Sequence, residues 1–270
     1  NAGGLVGVND GTCSMTNSYS TGAVSGSSFV GGLVGANSGT VTSSYWDTVT
    51  SGQAHSSGSL DSSGLTTAQM MTKANYTGWD FTNIGFWYNI DGSTRPFLRS
   101  EYSTTINNAH QLQLMALHPE VSYTLANNID MSELTQASGL WNTATGFVPV
   151  GDNSTKFTGV FDGLGHTIDG LTINLSGTDY IGLFGCTMGA TLRNVSLTNV
   201  NVTGNQYVGG LVGLNKSSNI TNSSSGGAVS GSSYVGGLVG WNDGNGGTAT
   251  ITNSYATGAV SGDNYVGGLV

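Results

Sequence analysis

The sequence predicts an all-β chain folded as a parallel β-helix, a solenoid of three-strand coils with short capping helices, and three observations predict it. The run Phe-Val-Gly-Gly-Leu-Val-Gly at 29–35 returns as Tyr-Val-Gly-Gly-Leu-Val-Gly at 207–213 and 234–240, and begins again at 265. The first glycine of the pair recurs at spacings of 28 (Gly3 to Gly31), 27 (Gly209 to Gly236) and 31 residues (Gly236 to Gly267), a period of about 28. Charged residues make up 8% of the 270, against about 25% in an ordinary soluble domain, so helices with salt-bridged exposed faces are a poor fit.

Each period breaks into three short extended runs. The first is the Gly-Gly run itself. The second reads Ile-Thr-Asn-Ser-Tyr at 251–255 and is echoed at 15–19, 41–45 and 220–224. The third is Ala-Val-Ser-Gly at 23–26, repeated at 228–231 and 259–262. β-Branched and aromatic residues bounded by Gly, Asn and Ser, in runs too short for helices, read as strands. The corner between the third run and the next aromatic has constant length, whereas the corner after Asn9, Asn37, Asn215 and Asn242 varies, so some edges of the coil tolerate insertions. Stacking at about 4.8 Å aligns like with like. It predicts one ladder of Phe29, Tyr180, Tyr207, Tyr234 and Tyr265 and another of Asn9, Asn37, Asn215 and Asn242. Stacked like charges would repel, which accounts for Ser, Thr and Asn in their place.

Residues 46–178 interrupt the pattern. Short helices are expected at 67–74, with Thr66 or Thr67 as N-cap, and at 107–118, ended by Pro119. An aromatic-dense stretch at 79–98 lies between them, and extended patterns resume at 123–129 and 157–168. The expected organisation is final coils of one β-helix module at 1–50, a capping and linker segment at 51–122, and the start and coils of a second module at 123–270. A coarser division places the end of one module at residue 100 and the start of the next at 101.

A net charge of −9 with six scattered cations cannot neutralise a row of phosphates, which excludes nucleic-acid binding. No apolar run approaches the ~18 residues of a membrane span. The chain opens and stops inside a repeat, which suggests a mature segment of a longer protein.

The unit Tyr-Val-Gly-Gly-Leu-Val-Gly followed by Ile-Thr-Asn-Ser-Tyr-Ala-Thr-Gly-Ala-Val-Ser-Gly resembles the GLUG repeat of large bacterial surface and secreted proteins, including filamentous-haemagglutinin-type adhesins and certain immunoglobulin A peptidases. The resemblance covers most of the chain, is weakest at Gly182-Leu-Phe-Gly185, and implies an extracellular right-handed β-helix, often adhesive, with no chemistry of its own.

Several residues are candidate sites. Asp162, His166 and Asp169 are the most enzyme-like cluster, although their Asp-Gly and Gly-His contexts also read as turns. Asp130, Asp152 and Asn153 could hold a loop Ca²⁺. The histidines at 55, 110, 118 and 166 lack metal spacing, and His-Glu-x-x-His is missing. Cys13, two residues before Met15, is expected inward, and Cys186 occupies the place of Leu214 and Trp241; both read as core thiols. Trp46, Trp87 and Trp141 are candidate stacking platforms for a glycan. Asn-x-Ser/Thr sequons at Asn75, Asn153, Asn174, Asn194, Asn201, Asn219 and Asn222 are candidate glycosylation acceptors.

These readings converge on a non-enzymatic, extracellular or cell-surface structural or adhesive protein, without cofactor or metal, assembling end to end. Its expected partners are further modules, other copies of itself, or host-cell or environmental glycans and proteins. A glycan-binding module is the alternative, followed by a β-helix polysaccharide lyase or hydrolase, which the lack of a carboxylate column disfavours.

Overall fold

The computed structural model describes residues 1–59 and 63–270, which form two compact units: Asn1–Ser100 with Thr135–Thr143, and Glu101–Leu134 with Ala144–Val270. The chain is mostly β-strand with a few short helices, and its main sheets are parallel.

In the first unit, strands Ala2–Gly3, Val6–Asn9, Ser14–Thr16 and Tyr19–Ser20 each pair in parallel with the strand one repeat later, Val30–Gly31, Val34–Asn37, Thr40–Thr42 and Tyr45–Asp47. The register is that of the sequence repeat: Val6 lies opposite Val34 and Met15 opposite Val41. The third run at 23–26, expected to be a strand, is not one in this unit. One repeat later the chain turns into the helix Thr48–Ser51, which offers no strand to pair with, and the bond from Val24 N to Ser51 O (3.1 Å) bridges that gap. Met15, Leu33, Val34 and Trp46 form one core cluster. Gly32 makes room for the indole, since a Cβ there would lie 2.0 Å from Trp46 Cδ1. Tyr45, Leu65, Met70, Tyr76 and Trp79 form another cluster.

The expected helix at 67–74 is Thr67–Met70, started by a capping box between Thr66 and Gln69 and followed by the 3₁₀ turn Lys73–Asn75. An antiparallel pair, Trp87–Tyr88 with Phe97–Leu98, closes the aromatic stretch. A buried ion pair, unsignalled by the repeat, ties the irregular part together. Asp47 and Arg95 have no exposed side-chain surface and bond directly to each other. The Asp47 carboxylate also caps Thr48–Ser51 by accepting from Val49 N (2.9 Å) and Thr50 N (3.1 Å), and accepts from Thr67 Oγ1 (3.1 Å). Arg95 donates to the carbonyls of Gly139 and Ala137, which holds residues 135–143 in this unit.

The second unit carries the regular sheets. One runs Thr105–Ile106, Tyr123–Leu125, Val160–Asp162, Thr191–Arg193, Asn219–Thr221 and Thr250–Thr252. Phe161, Leu192 and Ile220 align on its buried side, and Asp162, Arg193 and Thr221 align beside them in the same register. A second sheet has Ile129–Asp130, Thr167–Asp169, Ser196–Thr203, Ser224–Ser230 and Tyr255–Thr257 as its main path; here the third run is strand, Val229 facing Val260. Phe184–Met188, Val212–Lys216 and Val239–Asp243 form a third, and Gln206–Gly209, Ser233–Gly236 and Asn264–Gly267 a fourth. The early core is aromatic, with Phe184 packed on Phe157 (4.7 Å between centroids) and Phe161 (5.3 Å). The expected helix at 107–118 is Ala109–Leu114, capped by Asn108 through Gln111 N and continued by the 3₁₀ turn Met115–Leu117. No helix among the described residues is long and apolar enough to cross a membrane.

Removing one member of a buried ion pair strands the other charge, so Arg95→Ala or Asp47→Ala should each destabilise the first unit by about 3–5 kcal/mol. The double variant should lose less than the two single losses together. Urea unfolding followed by tryptophan fluorescence checks this, and strict additivity would show that the two side chains act independently.

Candidate functional surface

The strongest surface regularity is the aromatic column of the second unit. Tyr180, Tyr207, Tyr234 and Tyr265 stack with centroids 4.9, 4.9 and 4.8 Å apart and planes within 9°, 14° and 5° of parallel. Trp241 lies against Tyr207 (5.2 Å) and Tyr234 (5.3 Å). Each tyrosine sits at a left-handed corner, φ 63°, 57°, 55° and 52° in chain order, a conformation that costs an L-residue about 1–2 kcal/mol. Stacking contributes roughly 0.5–1.5 kcal/mol per pair beyond area burial, enough to offset that strain. Tyr207 and Tyr234 are covered on both faces and show mainly ring edges and hydroxyls to solvent, whereas Tyr265 is stacked on one face only. Phe29 belongs to the first unit, where it is exposed and also left-handed, φ 49°.

The asparagines are divided in the same way. Asn9 Nδ2 donates to Asn37 Oδ1 (2.6 Å) in the first unit. In the second, Asn215 Nδ2 donates to Asn242 Oδ1 (2.7 Å), while Asn215 Oδ1 accepts from Thr187 Oγ1 (2.9 Å). Each amide thereby satisfies a neighbour one repeat away.

The enzyme-like residues face other repeats. Asp162 accepts from Arg193 Nε (2.7 Å), Asn194 Nδ2 (2.9 Å) and Leu164 N (3.0 Å). Burial alone would raise its pKa, but these bonds outweigh it and hold the carboxyl below the usual range. Asp169 accepts from Thr198 Oγ1 (2.5 Å) and Asn199 Nδ2 (2.7 Å), and His166 N closes a turn on Gly163 O (2.8 Å). Asp130 receives Ser132 N, and Asp152 receives Ser154 N and Thr155 N, so both order their own loops; Asn153 O accepts from Lys156 Nζ. Among the described residues no group of three His, Cys, Asp or Glu side chains is placed to hold a metal.

Two sequence expectations change, those for Cys13 and for the tryptophan platforms, while Cys186 lies in the core as expected. Cys13 is exposed, because a turn from Cys13 N to Asp10 O precedes the strand and the inward–outward alternation starts only at Ser14. Cys186 is buried, and burial pushes its thiol up to about 12. Trp46 and Trp141 are fully buried, and Trp87 is half-buried against Trp79 (4.4 Å), so none offers the open platform expected of it. Among the sequons Asn75 and Asn194 are half-buried and the other five are exposed. The amide nitrogens of Asn75, Asn174, Asn194 and Asn222 donate hydrogen bonds, whereas among the described residues no such bond engages those of Asn153, Asn201 and Asn219.

The repeat also gave no sign of His110, whose Nδ1 meets Glu101 Oε2 (2.7 Å) and Nε2 meets Glu133 Oε2 (2.9 Å). Burial would lower its pKa, but the two carboxylates outweigh burial and raise it to about 9.

The model of the GLUG motif matches residues 1–25, 204–230 and 231–261. The chain is 40% identical over 110 residues to halomucin of Haloquadratum walsbyi, a match covering 38% of this chain and 1% of that protein. It is 36% identical over 77 residues to a Gly-rich membrane protein of Evansella cellulosilytica, covering 28% of this chain and 8% of the other. The chain therefore spans a small fraction of either relative. The crystal structure of an immunoglobulin A1 protease-like protein from Bacteroides ovatus aligns with a TM-score of 0.44 and 24% identity, over 59% of this chain and 50% of the other.

Two outcomes follow. At φ 55° glycine is unstrained, so Tyr234→Gly should cost less stability than Tyr234→Ala, each measured by thermal unfolding; the opposite order would remove strain from the account of the column. His110 is more basic folded than unfolded, so its contribution is complete below about pH 6.5 and is lost as pH rises through about 9. His110→Ala should flatten that part of the stability–pH curve.

Proposed function

We propose that this chain, which carries GLUG motifs in three places, is part of a non-enzymatic structural or adhesive protein of the cell surface. In this reading the parallel sheets close into a right-handed β-helix, and the partners are further coils, other copies, or glycans and proteins outside the cell. The observation that carries it is the in-register parallel pairing one repeat apart, Val6 on Val34 and Gln206 on Ser233 on Asn264. A chain whose polar groups are engaged between repeats is built to present a surface. The non-enzymatic reading is supported by Asp162 and Asp169, whose carboxylates accept structural bonds from Arg193, Asn194, Thr198 and Asn199. The surface assignment draws on the resemblance to halomucin and to a Gly-rich membrane protein.

Antibodies raised against this chain should label intact cells of its source, and mild external protease should remove the label. Labelling that requires lysis would overturn the surface assignment, and turnover of neutral or uronate polysaccharides by the purified chain would overturn the non-enzymatic one.

A further inference from the structure

We propose that an open recess on the second unit, about 350 Å³ and lined in part by Asn194, Asn222, Asn253, Ser224 and Tyr255, binds a neutral saccharide. Its size lies at the lower end of the roughly 300–1,000 Å³ of small-molecule sites, suited to a short glycan segment.

The recess arises where a ladder is broken. Ser196 pairs with Ser224, and Ser224 with Tyr255, so a tyrosine stands over two successive serines instead of over another ring. Tyr255 makes no ring contact among the described residues. In the column of Tyr180 to Tyr265 each ring covers its neighbour; at Tyr255 the face toward Ser224 has no ring upon it. An uncovered aromatic face accepts the weakly polar C–H side of a pyranose.

The polar wall comes from the left-handed corners Asn194, Asn222 and Asn253, at φ 55°, 50° and 51°. The amides of Asn194 and Asn222 form a relay toward Asp162. Asn194 Nδ2 donates to Asp162 (2.9 Å), and Asn222 Nδ2 donates to Asn194 Oδ1 (3.4 Å). No described hydrogen bond engages Asn222 Oδ1, and Asn253 and Tyr255 line the recess beside it. They supply both donors and acceptors to sugar hydroxyls. The lining contains no charged side chain, so a uronate or phosphate would enter without a counter-charge, and the chemistry favours a neutral polyol ring.

This inference gives the adhesive reading above a ligand class and rests on it only for where the glycan comes from. It is tested on the purified chain, so failure here leaves surface labelling untouched. Neutral oligosaccharides (β-glucan, mannan and galactan fragments) and oligogalacturonate are titrated into ¹⁵N-labelled protein. At least one neutral series should shift the amide signals of Asn222, Asn253 and Tyr255, and oligogalacturonate should not. Tyr255→Ser, which extends the serine column and leaves the fold intact by circular dichroism, should weaken binding by about tenfold, the loss of one stacking contact of about 1.4 kcal/mol. Asn253→Ala should weaken it as well. Absence of shifts with every neutral series, shifts confined to other residues, equal binding of the uronate, or unchanged affinity in Tyr255→Ser would each overturn the proposal.

Discussion

Every regular feature of this chain depends on one constraint: each strand of the repeat hydrogen-bonds in parallel to the strand one repeat away. A residue therefore meets its own counterpart, Val6 on Val34 and Ile220 on Ile251, and the sequence must supply side chains that tolerate themselves as neighbours. Asparagine does so by donating from one amide to the next, as Asn215 does to Asn242, and tyrosine by stacking face to face. Lysine and glutamate cannot, which is the physical origin of a chain with 8% charged residues.

The same constraint governs the corners. Glycine would be the ordinary choice for a left-handed backbone, yet Asn17, Ser43, Asn194, Asn222, Asn253 and the tyrosines of the column occupy that region. The side chains of Asn194, Asn222 and the tyrosines gain interactions with the neighbouring repeat that glycine cannot make. Gly236, in contrast, is needed for close approach, since a Cβ there would lie 2.0 Å from the Val239 carbonyl oxygen. Charge enters where the stacking partner differs in kind. Asp162 meets Arg193 across one register step, and Asp47 meets Arg95 only in the irregular part of the first unit.

The candidate surface follows the same logic in reverse. A complete ladder satisfies its members and leaves little for a ligand, as the covered tyrosine faces show. An incomplete ladder leaves donors, acceptors and an aromatic face without neighbours, and the column of Ser196, Ser224 and Tyr255 is such a place. Tyr255 was legible as a strand residue from the Ile-Thr-Asn-Ser-Tyr run, but its openness depends on the serines that its register sets beside it.

The sequence alone determined the period, the strand runs and the two capped helices, and the recurrence of like residues pointed to pairing at one repeat. Those features are encoded at fixed separations that periodicity exposes. Only the tertiary structure decided that Trp46 and Trp141 are buried, that Cys13 is exposed, that residues 135–143 join the first unit, and that His110 lies between Glu101 and Glu133. These contacts join positions with no common spacing, 48 residues apart for Asp47 and Arg95 and 23 for His110 and Glu133, and a repeat carries no information about a contact made once.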